Sequence, residues 1–254
     1  MAVAAEIGIA AALGAVIGSF LNVVIHRVPL QQSLVHPGSR CPSCQADIAP
    51  YDNVPVVSWL LLRGRCRRCG ARISPRYPAV ELLTAVAFGA VVAVRGFDND
   101  LVLELPFVAC LIALAGIDLD HRLLPNRIVY PMAAYGLVAT AIVDSGDLVE
   151  HLIAGAGAFA FLFVTVLAYP RGMGMGDVKL AGAMGFFLGL SVIPALLVAF
   201  LSGSIVGLTM IAREGAAARK KAVPFGVFLA LGGIVAVLAG PELIELYEDN
   251  FLGG

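Results

Sequence analysis

The chain has 254 residues, 59% of them from the hydrophobic set (AVILMFWYC) and only 14% charged, with a net charge of −1. A soluble domain of ordinary composition carries about 25% charged residues, so this one lacks the polar surface to cover a water-soluble globule. No basic or acidic tail points to nucleic acid, and no partner of that kind is expected; the composition predicts an all-α polytopic membrane protein with one small extramembrane module.

The first apolar run, 7–25, is preceded by Glu6 and followed by His26 and Arg27. Basic residues after the run rather than before it predict an uncleaved anchor with its N-terminus outside. A polar segment, 26–78, comes next. It holds Cys41 and Cys44, then Cys66 and Cys69, with 21 residues between the pairs. Two C-x-x-C knuckles at that separation supply four thiolates suited to tetrahedral zinc. A segment this short seldom folds on an apolar core alone, so structural zinc is expected to staple it. Arg63, Arg65, Arg67, Arg68 and Arg72 would favour the thiolates, and the basic surface suits anionic lipid headgroups.

Further apolar runs cover 79–94 and 101–117, the latter leading into Asp118, Asp120 and His121. After 128–143 and 152–169 comes a glycine-rich stretch with Gly172, Gly174, Met175 and Gly176, then Asp177. The runs 178–190, 192–212 and 224–239 complete eight expected transmembrane helices. The sixth is only about 20 Å long at 1.5 Å per residue, so the turn at Gly189, Leu190 and Ser191 must be tight.

With the N-terminus outside, eight spans put 26–78, 118–127, 170–179 and 213–223 in the cytoplasm and the C-terminus outside. Those four segments hold sixteen of the seventeen Lys and Arg residues, Arg95 being the exception. The acids Asp98, Asp100, Asp144, Asp147, Glu242, Glu245, Glu248 and Asp249 collect on the other face. Positive-inside bias therefore supports a cytoplasmic-membrane protein in this orientation.

Asp118 and Asp177 both adjoin apolar runs on the cytoplasmic side, where a charged side chain is costly and functional by default. Two carboxylates brought together in a low dielectric share a proton. One then activates water as a base while the other, protonated, polarises a carbonyl. The run Gly174, Met175 and Gly176 lacks the side chains that would keep an extended peptide from the backbone. Asp120 and His121 read as membrane-boundary residues, since positions two apart do not share a helix face.

At these residues the chain resembles the bacterial prepilin peptidases, or type IV leader peptidases, membrane aspartic proteases of the GxGD class. The likeness extends from Gly18, Ser19, Phe20, Leu21 and Asn22 through His26, Arg27, Val28 and Pro29 to both cysteine pairs. It continues over Ser74, Pro75, Arg76, Tyr77, Pro78 and Glu81, the Asp118 motif, the Gly174 to Asp177 element, and Pro224, Phe225 and Gly226. The resemblance implies an aspartic endopeptidase that removes the basic leader of prepilins and pseudopilins at the cytoplasmic membrane surface, with Asp118 and Asp177 catalytic. It also implies N-methylation of the new N-terminus with S-adenosylmethionine, for which Gly18, Asn22 and Glu81 are candidate residues. Asn126 stands where many members have aspartate, and activity is expected to survive this departure. Two other readings of the same residues are an ion- or proton-coupled transporter using the aspartates and a zinc-stapled scaffold without chemistry.

Overall fold

The computed structural model describes residues 2–143, 145–169, 173–215 and 223–251. Asp144, Arg171, Gly172, Arg219, Lys220 and Lys221, which entered the sequence reading, lie outside them. Among the described residues there is no strand, only two isolated bridges within the cysteine segment. The chain divides into two compact units, residues 1–97 and 98–254.

In the first unit, helix α1 (Ala2–Arg27) packs along α3 (Arg76–Arg95), with the short helix α2 (Val57–Leu61) in the segment between them. Glycine allows this pairing: a Cβ on Gly14 would stand 2.6 Å from Thr84 O, and one on Gly18 2.7 Å from Glu81 Cα. Small residues in register are how apolar helices approach one another where lipid, not water, is the alternative.

The second unit holds α4 (Leu101–His121), α5 (Asn126–Val143), α6 (Leu148–Ala168), α7 (Met175–Leu188), α8 (Val192–Glu214) and α9 (Phe225–Phe251). Helix α7 is its hub, touching α4, α5, α6, α8 and α9. Its 14 residues match the short sixth run, and a single 3-10 turn, Gly189–Ser191, joins it to α8 with Gly189 at φ 52°. Gly185 of α7 meets the backbone of Gly155 in α6, and Phe187 stacks on Phe107 of α4 with ring centroids 4.5 Å apart. The far end of α7 is pinned: Thr140 Oγ1 donates to Phe186 O, His151 Nδ1 lies 3.0 Å from the same oxygen, and Glu150 accepts the Leu190 N–H.

Among the described residues, six stretches are long and apolar enough to cross a membrane: α1, α3, α4, α6, the run 175–214 and α9. Helix α5, which begins with Asn126 and Arg127, is not among them. Helix α9 outruns its expected end at residue 239 and reaches Phe251, with a kink at Ala239 (φ −145°, ψ 18°). Pro241 accounts for the kink, since it removes a backbone donor and crowds the preceding turn.

Candidate active site and metal centre

Because the helices of the second unit alternate in direction, the C-terminus of α4 and the N-termini of α5, α7 and α9 share one end. Asp118 sits in the last turn of α4 and is buried. That helix ends in a left-handed residue, Arg122 (φ 52°, ψ 45°), whose N–H returns to Asp118 O at 2.9 Å. A non-glycine residue there is strained, and the chain turns sharply enough for Leu124 to fold back beneath the site.

Asp177 occupies the first turn of α7. Its Oδ2 accepts the Gly174 N–H at 3.0 Å and its own N–H donates to Gly174 O at 3.1 Å. Gly174 is extended (φ −89°, ψ 156°), so the chain enters the helix from an open strand-like residue. The carboxylate thereby caps a helix N-terminus, where negative charge is favoured. Gly174 and Met175 are exposed, whereas Gly176 lies against Leu124, whose Cβ would be 3.0 Å from a Cβ at that position.

Leu124 links Asp118 and Asp177: it packs against Gly176, next to Asp177, and against Gly226, which abuts Asp118. Their neighbourhood includes a residue to which the sequence reading gave no role. Gly226, in the first turn of α9, lies so close that a Cβ there would stand 2.8 Å from Asp118 Oδ2 and 2.9 Å from Leu124 Cδ2. The N–H groups of Gly226 and Val227 flank the Asp118 carboxyl, yet its Oδ2 is shielded and makes no hydrogen bond among the described residues. A buried polar oxygen without a partner costs free energy, and active sites are where such costs are retained. The signal in the sequence was Pro224, Phe225 and Gly226: a glycine just inside a helix start is out of place unless something must approach the backbone. Asp120 and His121 are exposed.

In the first unit the two cysteine knuckles share one geometry. Cys41 N–H donates to Ala46 O and Gln45 N–H to Cys41 O; Cys66 N–H donates to Ala71 O and Gly70 N–H to Cys66 O. Gln45 (φ 56°) and Gly70 (φ 71°) turn the chain at equivalent positions. The four Sγ atoms lie within 4.8 Å of one another, Cys41 and Cys69 at 3.8 Å. A tetrahedral zinc with bonds of about 2.3 Å needs sulfurs about 3.8 Å apart, so the donor set and spacing fit that ion. N–H groups of Cys44 and Ser43 draw the Cys41 thiol down to about 6. Cys69, although the Ala71 N–H favours its thiolate, is pushed to about 11 by burial and the adjoining sulfurs.

Gly18, Asn22 and Glu81, the candidates for S-adenosylmethionine, are engaged within the unit. Gly18 abuts α3, Asn22 Nδ2 donates to Tyr77 O at 3.1 Å, and Glu81 Oε2 accepts the Val56 N–H at 2.7 Å.

Residues 12–95 match the family model described as the bacterial Peptidase A24 N-terminal domain, and residues 105–211 that of the type IV leader peptidase family. A prepilin leader peptidase/N-methyltransferase from Aeromonas hydrophila is 37% identical, over 93% of this chain and 91% of its own. Proteins of the same description from Myxococcus xanthus and Bacillus subtilis are 43% and 33% identical. They cover 81% and 94% of this chain, and 63% and 97% of their own lengths. No solved structure matches the chain.

Proposed function

This chain belongs to the type IV leader peptidase family, and from that premise we propose that Asp118 and Asp177 are the acid–base pair of its peptidase. It is a multi-pass membrane enzyme, a prepilin leader peptidase that is bifunctional with N-methyltransferase. The relatives lend no support to a transporter. The observation carrying the assignment is the buried Asp118 Oδ2, without a partner among the described residues, with a second buried carboxylate, Asp177, at the same end of the helix bundle.

In this reading the carboxylates hold one proton between them. The ionised member takes a proton from water as the oxygen attacks the scissile carbonyl, and the protonated member hydrogen-bonds the developing oxyanion. Collapse of the tetrahedral intermediate breaks the C–N bond, and the proton taken from water passes to the leaving amine. Gly174, Met175 and Gly176 form the approach for an extended substrate, and the capping bond from Gly174 fixes one oxygen of Asp177. Because the pair acts as a unit, neither residue is assigned as the permanent acid.

By chain order the division is a first transmembrane helix (1–25), a cytoplasmic four-cysteine domain (26–78) and a peptidase domain (79–254). Both aspartates lie in the part of the last that starts with α4. The zinc held by Cys41, Cys44, Cys66 and Cys69 would be structural, since a closed four-thiolate site has no open position. S-adenosylmethionine would supply the methyl group. The bias of Lys and Arg places the aspartate end at the cytoplasmic face, with both termini outside. Substrates are prepilins and pseudopilins. The test is the N-terminal sequence and mass of a pilin from cells with and without this protein. The reading requires a shortened pilin carrying one extra methyl group; an intact leader in its presence would refute it.

A further inference from the structure

Helix α2 carries an apolar face that nothing in its own unit covers. Val57, Leu60 and Leu61 occupy positions i, i+3 and i+4, one side of the helix, and are 50%, 61% and 78% exposed. The opposite side is tied inward. Ser58 Oγ donates to Tyr51 O and accepts the Val54 N–H, and Trp59 Nε1 donates to Ile73 O at 3.1 Å. Gly64 lies under the Trp59 ring, where a Cβ would stand 2.9 Å from it.

The level of this helix is set by a bond to a membrane-spanning one. Glu81 Oε2 accepts the Val56 N–H at 2.7 Å. Glu81 is five residues past the start of α3, about 7.5 Å along the axis at 1.5 Å per residue. Making that bond puts Val56 at φ 61°, ψ −51°, the centre of a γ-turn closed by Val57 N–H to Pro55 O. That conformation is rare and unfavourable for a β-branched residue. The start of α2 is thus held beside the first turns of α3.

Apart from the Glu81 carboxylate at its start, the charge flanking α2 is predominantly basic. Asp47 and Asp52 are the only carboxylates between residues 28 and 75. They pair with Arg40 and Arg67. Arg63, Arg65, Arg68 and Arg72 are exposed and have no carboxylate partner among the described residues.

We propose that the Val57, Leu60 and Leu61 face of α2 is seated in the headgroup–acyl boundary of an anionic phospholipid leaflet, with the unpaired arginines on lipid phosphates. An apolar face bordered by arginine is what such an interface selects, and long arginine side chains reach phosphate while their stems stay apolar. The contact would hold the cysteine module down against the bilayer.

Trp59, the only tryptophan of the chain, reports directly on this. Full-length protein in nanodiscs of phosphatidylglycerol brominated near the headgroup should lose about half its Trp59 emission relative to unbrominated discs. Brominated phosphatidylcholine should quench less, and the double variant Leu60→Gln, Leu61→Gln should recover most of the emission at unchanged zinc content. Overturning results are emission unaffected by brominated lipid but quenched by aqueous acrylamide, equal quenching in both lipids, or undiminished quenching in the variant.

Discussion

Lys179 Nζ donates to Asn126 Oδ1 across 3.2 Å, joining the first turn of α7 to the first residue of α5. The two residues follow Asp177 and Asp118 respectively in the chain, so the bond ties together the segments that carry the pair. The ammonium also lies over the Tyr130 ring, 5.3 Å from its centroid. Asn126, which departs from the aspartate of many family members, therefore still serves as the acceptor.

Replacing Asn126 by Asp turns a bond from a cation to a neutral amide into an exposed ion pair, worth about 0–1 kcal/mol. Asn126→Asp should leave leader cleavage within about threefold of wild type. Lys179→Met, which removes the donor, should lower kcat/KM more than Asn126→Asp does. Steady-state cleavage of a purified prepilin checks both, and a large loss in Asn126→Asp would contradict this account of the bond.

Gly226→Ala places a methyl group against Asp118 Oδ2 and Leu124, both within 3 Å of its position. Displacing a catalytic group by even about 1 Å costs on the order of 10²-fold in rate. Cleavage should fall by roughly that factor with thermal stability little changed. Full activity in this variant would mean that the close approach of α9 is unimportant to the site.

Removal of one thiolate from each knuckle, Cys41→Ser with Cys66→Ser, leaves two sulfur ligands and should abolish zinc retention. Metal analysis of the purified protein should drop from about one zinc per chain to near background. Trp59 emission should shift to the red as the segment loosens. Zinc content equal to wild type would remove the staple.

The Arg67 guanidinium, bonded to both oxygens of Asp52, holds that carboxyl below the usual range. A lowered folded-state pKa means that the unfolded chain binds the proton more readily. The contribution is therefore complete above about pH 4, the ordinary aspartate value, and fades as pH falls through the folded-state value. The difference in melting temperature between wild type and Arg67→Gln should accordingly be present at neutral pH and shrink in acid. A gap that widened on acidification would contradict the pairing.

The chain announced its architecture through apolar runs, and span parity alone placed Asp118 and Asp177 at one end of the second unit. Cysteine spacing announced the metal centre, because a knuckle is a local motif whose hydrogen bonds close within six residues. Other contacts left no such mark. Gly226 against Asp118 and Lys179 on Asn126 join segments far apart in sequence, and a glycine or lysine looks the same whatever it meets. The positive φ of Val56 was equally hidden, since its cause is the distant carboxylate of Glu81. Helix α9 ran past its expected end because Glu242 and Glu245, too polar to extend an apolar run, are ordinary helix formers after a proline kink.

The central claim is that two carboxylates act as one device. The most direct measurement is cleavage of a prepilin by purified wild type, Asp118→Asn, Asp177→Asn and the double variant, each side chain keeping its shape while losing its ionisable group. Groups that act as a unit are non-additive, so each single variant should lose about as much as the double, on the order of 10³-fold or more. Substantial cleavage by either single variant, or losses that multiply in the double, would contradict the pairing.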